Sequence, residues 1–245
     1  KIILSAGSSN SSLSFRYGSK SGSEESFKYL SVVMQNEWKI STTNTFVLNC
    51  YPTGSTLPSE INSIDIGSRI DLISKIVNMI KNNYQNFIIV GFPSVISWCL
   101  ANNMLPDNCY FVTGGERTPS YLIKQISDKI NCSETEALNR VISLYGLAEI
   151  GLGLGINSPL IRSNLKTTST DIYAVNSKSI LCESVNNEIL LTSYADDSIP
   201  LLRYQTGDLI NYFTHNNEFN SYIFSYSGRK SKLEIENKIK CIEKY

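Results

Sequence analysis

Apolar positions fall along the first two thirds of this chain in two alternating textures: short unbroken runs, and longer stretches in which they recur every three or four residues. The unbroken runs Thr45–Tyr51, Phe87–Gly91, Cys109–Thr113 and Val141–Tyr145 have the length and continuity of strands buried on both faces. Between them, Ile70, Ile73, Ile76, Val77 and Ile80 predict an amphipathic helix over Ser68–Asn82, ended by Asn82 and Asn83. Further helices are expected over Ser23–Met34, Ser94–Ala101, Pro119–Ile130 and Ser133–Asn139. In the last of these, Ser133 and Glu136 stand at the spacing of a capping box. Ile2–Leu4 reads as a short strand that runs into a loop crowded with serines, Ser5 to Ser12.

After about residue 165 the texture changes. Strand-like runs at Ser179–Glu183, Glu188–Tyr194, Asp208–Phe213 and Ser221–Tyr226 follow one another with turn residues and little helix between them. Leu233–Lys244 reads as a short charged terminal helix. The predicted class is α/β: a largely parallel sheet covered by helices, followed by a smaller C-terminal antiparallel β region. In such a sheet the loops at the C-terminal strand ends carry the site.

Composition narrows the function classes. Lys and Arg number 22 against 22 Asp and Glu, with a single His, so bulk electrostatics give no purchase on nucleic acid or an anionic membrane. No apolar run approaches the roughly 18–20 residues of a spanning helix, and Lys1–Leu4 is too short for a signal-peptide core. A soluble, cytoplasmic protein is expected. The cysteines at 50, 99, 109, 132, 182 and 241 are widely spaced, without CxxC or a Cys/His cluster, and read as reduced packing residues. His215, in the polar stretch His-Asn-Asn-Glu-Phe-Asn, reads as a solvated turn residue, which leaves no base for a Ser-His or Cys-His nucleophile.

Candidate chemistry gathers at the ends of predicted strands. The Ser/Gly loop at 5–12 can wrap phosphate oxygens with N–H groups and hydroxyls, or serve only as a linker. Gly114-Gly115-Glu116 lets backbone pass close to a flat ring. Glu149, at the end of Tyr145-Gly146-Leu147-Ala148-Glu149, can bind a divalent cation or simply sit at a helix N-terminus. Arg203-Tyr204-Gln205-Thr206-Gly207-Asp208 ends in an acid suited to a ribose diol, and Gly228-Arg229 follows twenty residues later with extra donors.

In this order the motifs resemble the adenylate-forming superfamily of acyl-CoA and aryl-CoA ligases, closest in look to its phenylacetate-CoA ligase branch, with acyl-protein synthetases as cousins. The elements that carry the resemblance are Ser5–Leu13, Phe92-Pro93-Ser94-Val95, Gly114–Glu116, Tyr145–Glu149, Arg203–Asp208 and Gly228-Arg229. The resemblance implies that Gly7, Ser8 and Ser9 contact the ATP phosphates, with Ser8, Ser9 and Glu149 as the catalytic set. It places Gly114, Gly115, Glu116, Tyr145 and Gly146 around the adenine, Glu149 on Mg²⁺, and Asp208 with Arg229 on the ribose. Tyr51, Phe92, Trp98 and Gly146 would wall the acyl or aryl pocket.

The implied activity is ATP-dependent activation of a small carboxylic acid as its adenylate, for transfer to CoA or to the phosphopantetheine of an acyl carrier protein. Transfer to another protein, and a non-catalytic nucleotide-binding or scaffold role, remain alternatives. The implied organisation is a nucleotide- and acyl-binding core over 1–165, a β-rich subdomain over 166–229 completing the nucleotide site, and a residual hinge and helix over 230–245. The C-terminal lid of the family is expected to be absent, since Tyr245 closes the chain sixteen residues after Arg229. The phosphate loop also departs from the family, with Asn10 for Gly, Ser11 for Lys and Ser12 for Pro. The missing Lys removes a phosphate-neutralising charge.

Overall fold

The computed structural model describes residues 2–6, 13–17, 31–51, 61–147, 151–178, 180–194 and 201–230. Two short strands, β1 (Ile2–Ala6) and β2 (Leu13–Tyr17), pair antiparallel. The expected strand at Ile2–Leu4 is therefore one arm of a hairpin. Everything else is organised on one eleven-stranded sheet.

Its parallel half comprises β3 (Thr45–Asn49), β4 (Ser63–Asp65), β5 (Asn86–Gly91), β6 (Cys109–Gly114) and β7 (Val141–Leu147), in the spatial order 4-3-5-6-7. Alternate side chains of these runs serve opposite layers. Leu48, Phe87, Ile89 and Phe111 point to one face and pack with Ile73, Val77, Ile96, Leu122 and Ile126. Those partners come from α2 (Ile73–Ile80), α3 (Pro93–Ala101) and α4 (Ser120–Ile130). Val47, Ile88, Val112 and Ile142 point the other way, onto Val33, Met34 and Trp38 around a helix, α1, at 31–36. Burial on both faces explains why these strands read as continuous apolar runs. A single 3-10 turn, Ile70–Leu72, leads into α2.

The capping box at α5 (Glu134–Asn139) forms as expected. Ser133 Oγ accepts from the Glu136 N–H, and the Glu136 carboxylate accepts from the Ser133 N–H at 3.0 Å.

The sheet then changes direction. β8 (Gly151–Asn157) runs antiparallel to β7, and β9 (Ile172–Asn176), β13 (Ser221–Arg229), β12 (Tyr204–Asn216), β11 (Glu188–Ser193) and β10 (Ile180–Val185) continue outward, every pair antiparallel. α6 (Pro159–Asn164) connects β8 to β9. This corrects the expected largely parallel sheet with a smaller antiparallel appendage: the antiparallel strands outnumber the parallel ones, and both sets share one sheet. β8 escaped the sequence pattern because Gly-Leu-Gly-Leu-Gly-Ile-Asn reads as breaker-rich. β9 escaped because its alternation is short.

Four of the five described cysteines, Cys50, Cys99, Cys109 and Cys182, are buried free thiols, and Cys132 is half-buried. His215 lies in β12 rather than in a turn, exposed, its ring against Tyr222. Among the described residues no helix is long and apolar enough to cross a membrane. The expected helix at Leu233–Lys244 lies outside the described residues.

Candidate nucleotide site

The parallel strands β3, β5, β6 and β7 share one direction, so the residues that leave their C-terminal ends line one edge of the sheet: Tyr51, Phe92, Gly115 and, within β7, Tyr145. The antiparallel half brings a further group to the same place. Asp208, 2% exposed, accepts a 2.6 Å hydrogen bond from the Tyr145 hydroxyl on Oδ2 and a 2.8 Å charged hydrogen bond from Arg229 Nε on Oδ1. Asp208 and Arg229 are direct partners in the β12–β13 ladder. Three motifs far apart in sequence therefore converge on one carboxylate.

The Tyr145 ring is enclosed. It packs against Tyr173, Phe224 and Tyr226 at centroid separations of 5.6, 5.1 and 6.2 Å. Burial first, and the Asp208 carboxylate second, hold its phenol well above the ordinary tyrosine range, so it stays a donor. Burial works against the Arg229 charge, but the Asp208 carboxylate more than offsets it. Gly146 marks a slip of register between β7 and β8: Tyr145 faces Gly155, and Leu147 already faces Gly151.

The glycine turn stands beside this cluster, since Gly114 pairs with Leu144 across β6 and β7. Gly115 has φ +77°, and a Cβ placed there would collide with the Tyr51 hydroxyl and the Phe92 ring. Only glycine satisfies both demands. Tyr51 and Phe92 themselves pack at 4.6 Å. Burial, then Glu116, push the Tyr51 phenol up to about 12. Glu116 is exposed, and its carboxylate accepts from the Ser94 N–H in the first turn of α3 at 3.4 Å, a favourable place for a negative charge.

Of the expected site residues, the structure brings together Tyr51, Phe92, Gly114, Gly115 and Glu116, and next to them Tyr145, Gly146, Asp208 and Arg229. Trp98 stands apart, further along α3. It is 42% exposed, with no ring partner among the described residues. Gly7, Ser8, Ser9 and Glu149 lie outside the described residues. Among the described residues no group of three or more His, Cys, Asp or Glu side chains forms a cage for a metal ion. A magnesium held by one carboxylate and nucleotide phosphates needs no such cage.

Sequence reasoning missed two residues here. Glu188, 5% exposed, sits beneath the turn that carries Asp208 and accepts from the Gly207 N–H at 3.0 Å. Arg117, directly after the glycine turn, forms an ion pair with Asp171. Only the distance of Glu188 from the motif in sequence hid it.

No family model and no curated protein matches the sequence. Solved structures do. An open conformation of 2-hydroxyisobutyryl-CoA ligase, in complex with 2-HIB-AMP and CoA, superposes with a TM-score of 0.64 at 11% identity, covering 94% of this chain and 57% of that one. The chain shares the fold of that ligase over most of its own length. A variant of E. coli MenE with bound OSB-AMS also matches, at a TM-score of 0.56 and 13% identity, covering 93% and 48%. Wild-type E. coli MenE with an m-phenylether-linked analogue of OSB-AMS follows at 0.54 and 13%, covering 93% and 47%. The chain spans about half the length of these proteins.

Proposed function

We propose that this chain is the core of an AMP-forming ligase that activates an aryl or acyl carboxylic acid as its adenylate, using ATP and Mg²⁺, for transfer to a thiol. The observation that carries the reading is the convergence of Tyr145, Asp208 and Arg229 on the strand edge that holds the Gly114-Gly115 turn, in a fold shared with a ligase bound to an acyl-adenylate.

Among the described residues each Asp208 oxygen receives one donor, and a carboxylate oxygen has room for a second. The ribose hydroxyls would fill those positions while Arg229 keeps the charge neutralised. The backbone of Gly114 and Gly115 would pass along the adenine, with Glu116, Tyr145 and Gly146 at its border. Gly7, Ser8 and Ser9 would meet the phosphates and Glu149 the magnesium, which supplies charge neutralisation on the polyphosphate. Tyr51 and Phe92 would face the acid, and Trp98, which stands apart, would not.

In the reaction, a carboxylate oxygen attacks the α-phosphorus, the bond to the bridging oxygen of the β-phosphate breaks, and pyrophosphate leaves with the electron pair. CoA or a carrier-protein phosphopantetheine then displaces AMP from the activated carbonyl. The absence of Lys from the 5–12 loop favours a second reading, nucleotide binding without catalysis.

Hydroxylamine trapping separates the two. Full-length protein incubated with ATP, Mg²⁺ and a panel of aryl and acyl acids yields the hydroxamate and AMP together if it adenylates, and Asp208→Ala abolishes both. Binding of AMP with no hydroxamate from any acid supports the second reading.

A further inference from the structure

Across β11 and β12 the ladder loses register. Glu188 pairs with Leu209, while Leu190 already pairs with Gln205. Thr206, Gly207 and Asp208 therefore bulge opposite Ile189 alone, and a bulge leaves backbone N–H groups without ladder partners. Those of Gly207 and Asp208 are met by side chains. The Asp208 N–H donates to Thr206 Oγ1 at 3.0 Å, and the Thr206 hydroxyl donates to the Ile189 carbonyl at 2.8 Å. The Ile210 N–H donates to the Asn187 carbonyl at 2.8 Å.

The Gly207 N–H, at a residue with φ +74°, donates to the Glu188 carboxylate, 3.0 Å from Oε1. On Oε2 the same carboxylate receives Gln205 Nε2 at 3.3 Å, with Lys230 Nζ at 3.6 Å. Among the described residues every partner of this buried acid's side chain thus belongs to the segment leading into Asp208 or to the residue directly after Arg229. A buried carboxylate is costly, and an apolar side chain would fill the same space more cheaply. What the acid supplies is geometry.

We propose that Glu188 is a positioning residue for the nucleotide site: by holding the Gly207 N–H it fixes the bulge, and the bulge sets the angle at which the Asp208 carboxylate meets Tyr145, Arg229 and the ribose hydroxyls. The last contact rests on the function proposed above. The first two are features of the free protein. Lys230 balances the Glu188 charge but makes no contact with Asp208, so it is expected to be dispensable.

Glu188→Gln retains an acceptor for the Gly207 N–H, whereas Glu188→Ala does not. Two readouts on the whole chain test the role. By NMR in the nucleotide-free protein, hydrogen exchange of the Gly207 and Asp208 amides should accelerate more than tenfold in Glu188→Ala and less than threefold in Glu188→Gln, with the amides of β5 unchanged. In binding, the wild type should prefer ATP to 2′,3′-dideoxy-ATP by at least tenfold. Glu188→Ala should lose that preference while affinity for the dideoxy nucleotide holds, and Glu188→Gln should retain it.

Unchanged amide exchange and unchanged ribose preference in Glu188→Ala would overturn the proposal. If Glu188→Ala does not fold, Glu188→Gln with exchange as fast as a globally destabilised control overturns it equally. A wild type that binds neither nucleotide refutes the proposed function, and amide exchange alone then decides the role of Glu188.

Discussion

Tyr145 and Asp208 lie 63 positions apart in the chain and are joined by a 2.6 Å hydrogen bond in the protein interior. One comes from the last parallel strand and the other from the antiparallel half, so the bond ties the two halves of the sheet together where the candidate nucleotide site lies. Its donor has no competing use, because burial keeps the phenol protonated.

Removing that donor while keeping the ring isolates the bond. Tyr145→Phe leaves the packing on Tyr173, Phe224 and Tyr226 in place and strips one partner from a buried carboxylate, which costs about 1.5–3 kcal/mol. Urea denaturation should show a loss of that size, and ATP affinity should fall with it. Unchanged stability would mean that water replaces the phenol.

Gly115→Ala meets two obstacles at once, a left-handed backbone and the Tyr51 and Phe92 side chains. The backbone term alone costs about 1 kcal/mol. The collision must in addition displace Tyr51 or Phe92. A larger fall in nucleotide affinity than in thermal stability is expected, read by titration calorimetry alongside a melting curve.

The four buried thiols make stability sensitive to alkali. Burial pushes Cys50 and Cys182 up to about 12 and Cys99 to about 11, from an ordinary 9, and raises Cys109 as well. With folded values raised, the unfolded chain loses its protons first as pH rises, so stability is intact below pH 9 and declines above it. The slope is about 1.4 kcal/mol per thiol per pH unit. Arg162, lowered to about 10 by burial with Glu37 opposing, acts in the reverse sense only above pH 10. Urea denaturation at pH 8 and pH 10 should show the fall, and Cys182→Ala should flatten it. A thiol reagent should modify Cys132 well before the buried four.

Arg162, 3% exposed, donates to the carbonyls of Leu138 and Val141 at 2.7 and 2.9 Å and to the Asn157 side chain. It thereby fastens α5, β7 and β8 at the end of the sheet away from the site. Its Nε has no partner among the described residues. Arg162→Met leaves several carbonyls short of donors at about 2–4 kcal/mol, and urea denaturation should show that loss with ribose preference unaltered. A changed preference would show that β7 transmits strain along its length.

The sequence made the parallel half legible because burial on both faces writes a strand as an unbroken apolar run, as in Phe87–Gly91, and α2 as a regular three-and-four spacing. The motifs at 114–116, 145–149, 203–208 and 228–229 stood out as candidates for the same local reason. β8 was not, since a glycine-rich strand carries none of the residues that mark one. Neither was the setting of Glu188, whose contact with Gly207 comes from a register slip in another strand. The Tyr145 hydrogen bond is of the same kind: residue type announces a phenol, but only the pairing of β7, β8, β9, β13 and β12 delivers it to Asp208.

Acid-dependent exchange of labelled pyrophosphate into ATP reads out adenylation itself, since it reports reversible formation of an acyl-adenylate and nothing later. With the full-length protein, ATP, Mg²⁺ and a matched aryl or acyl acid, exchange should rise with acid concentration and be lost in Asp208→Ala. No exchange with any acid of a broad panel, from protein that nonetheless binds AMP, would contradict the proposed adenylation.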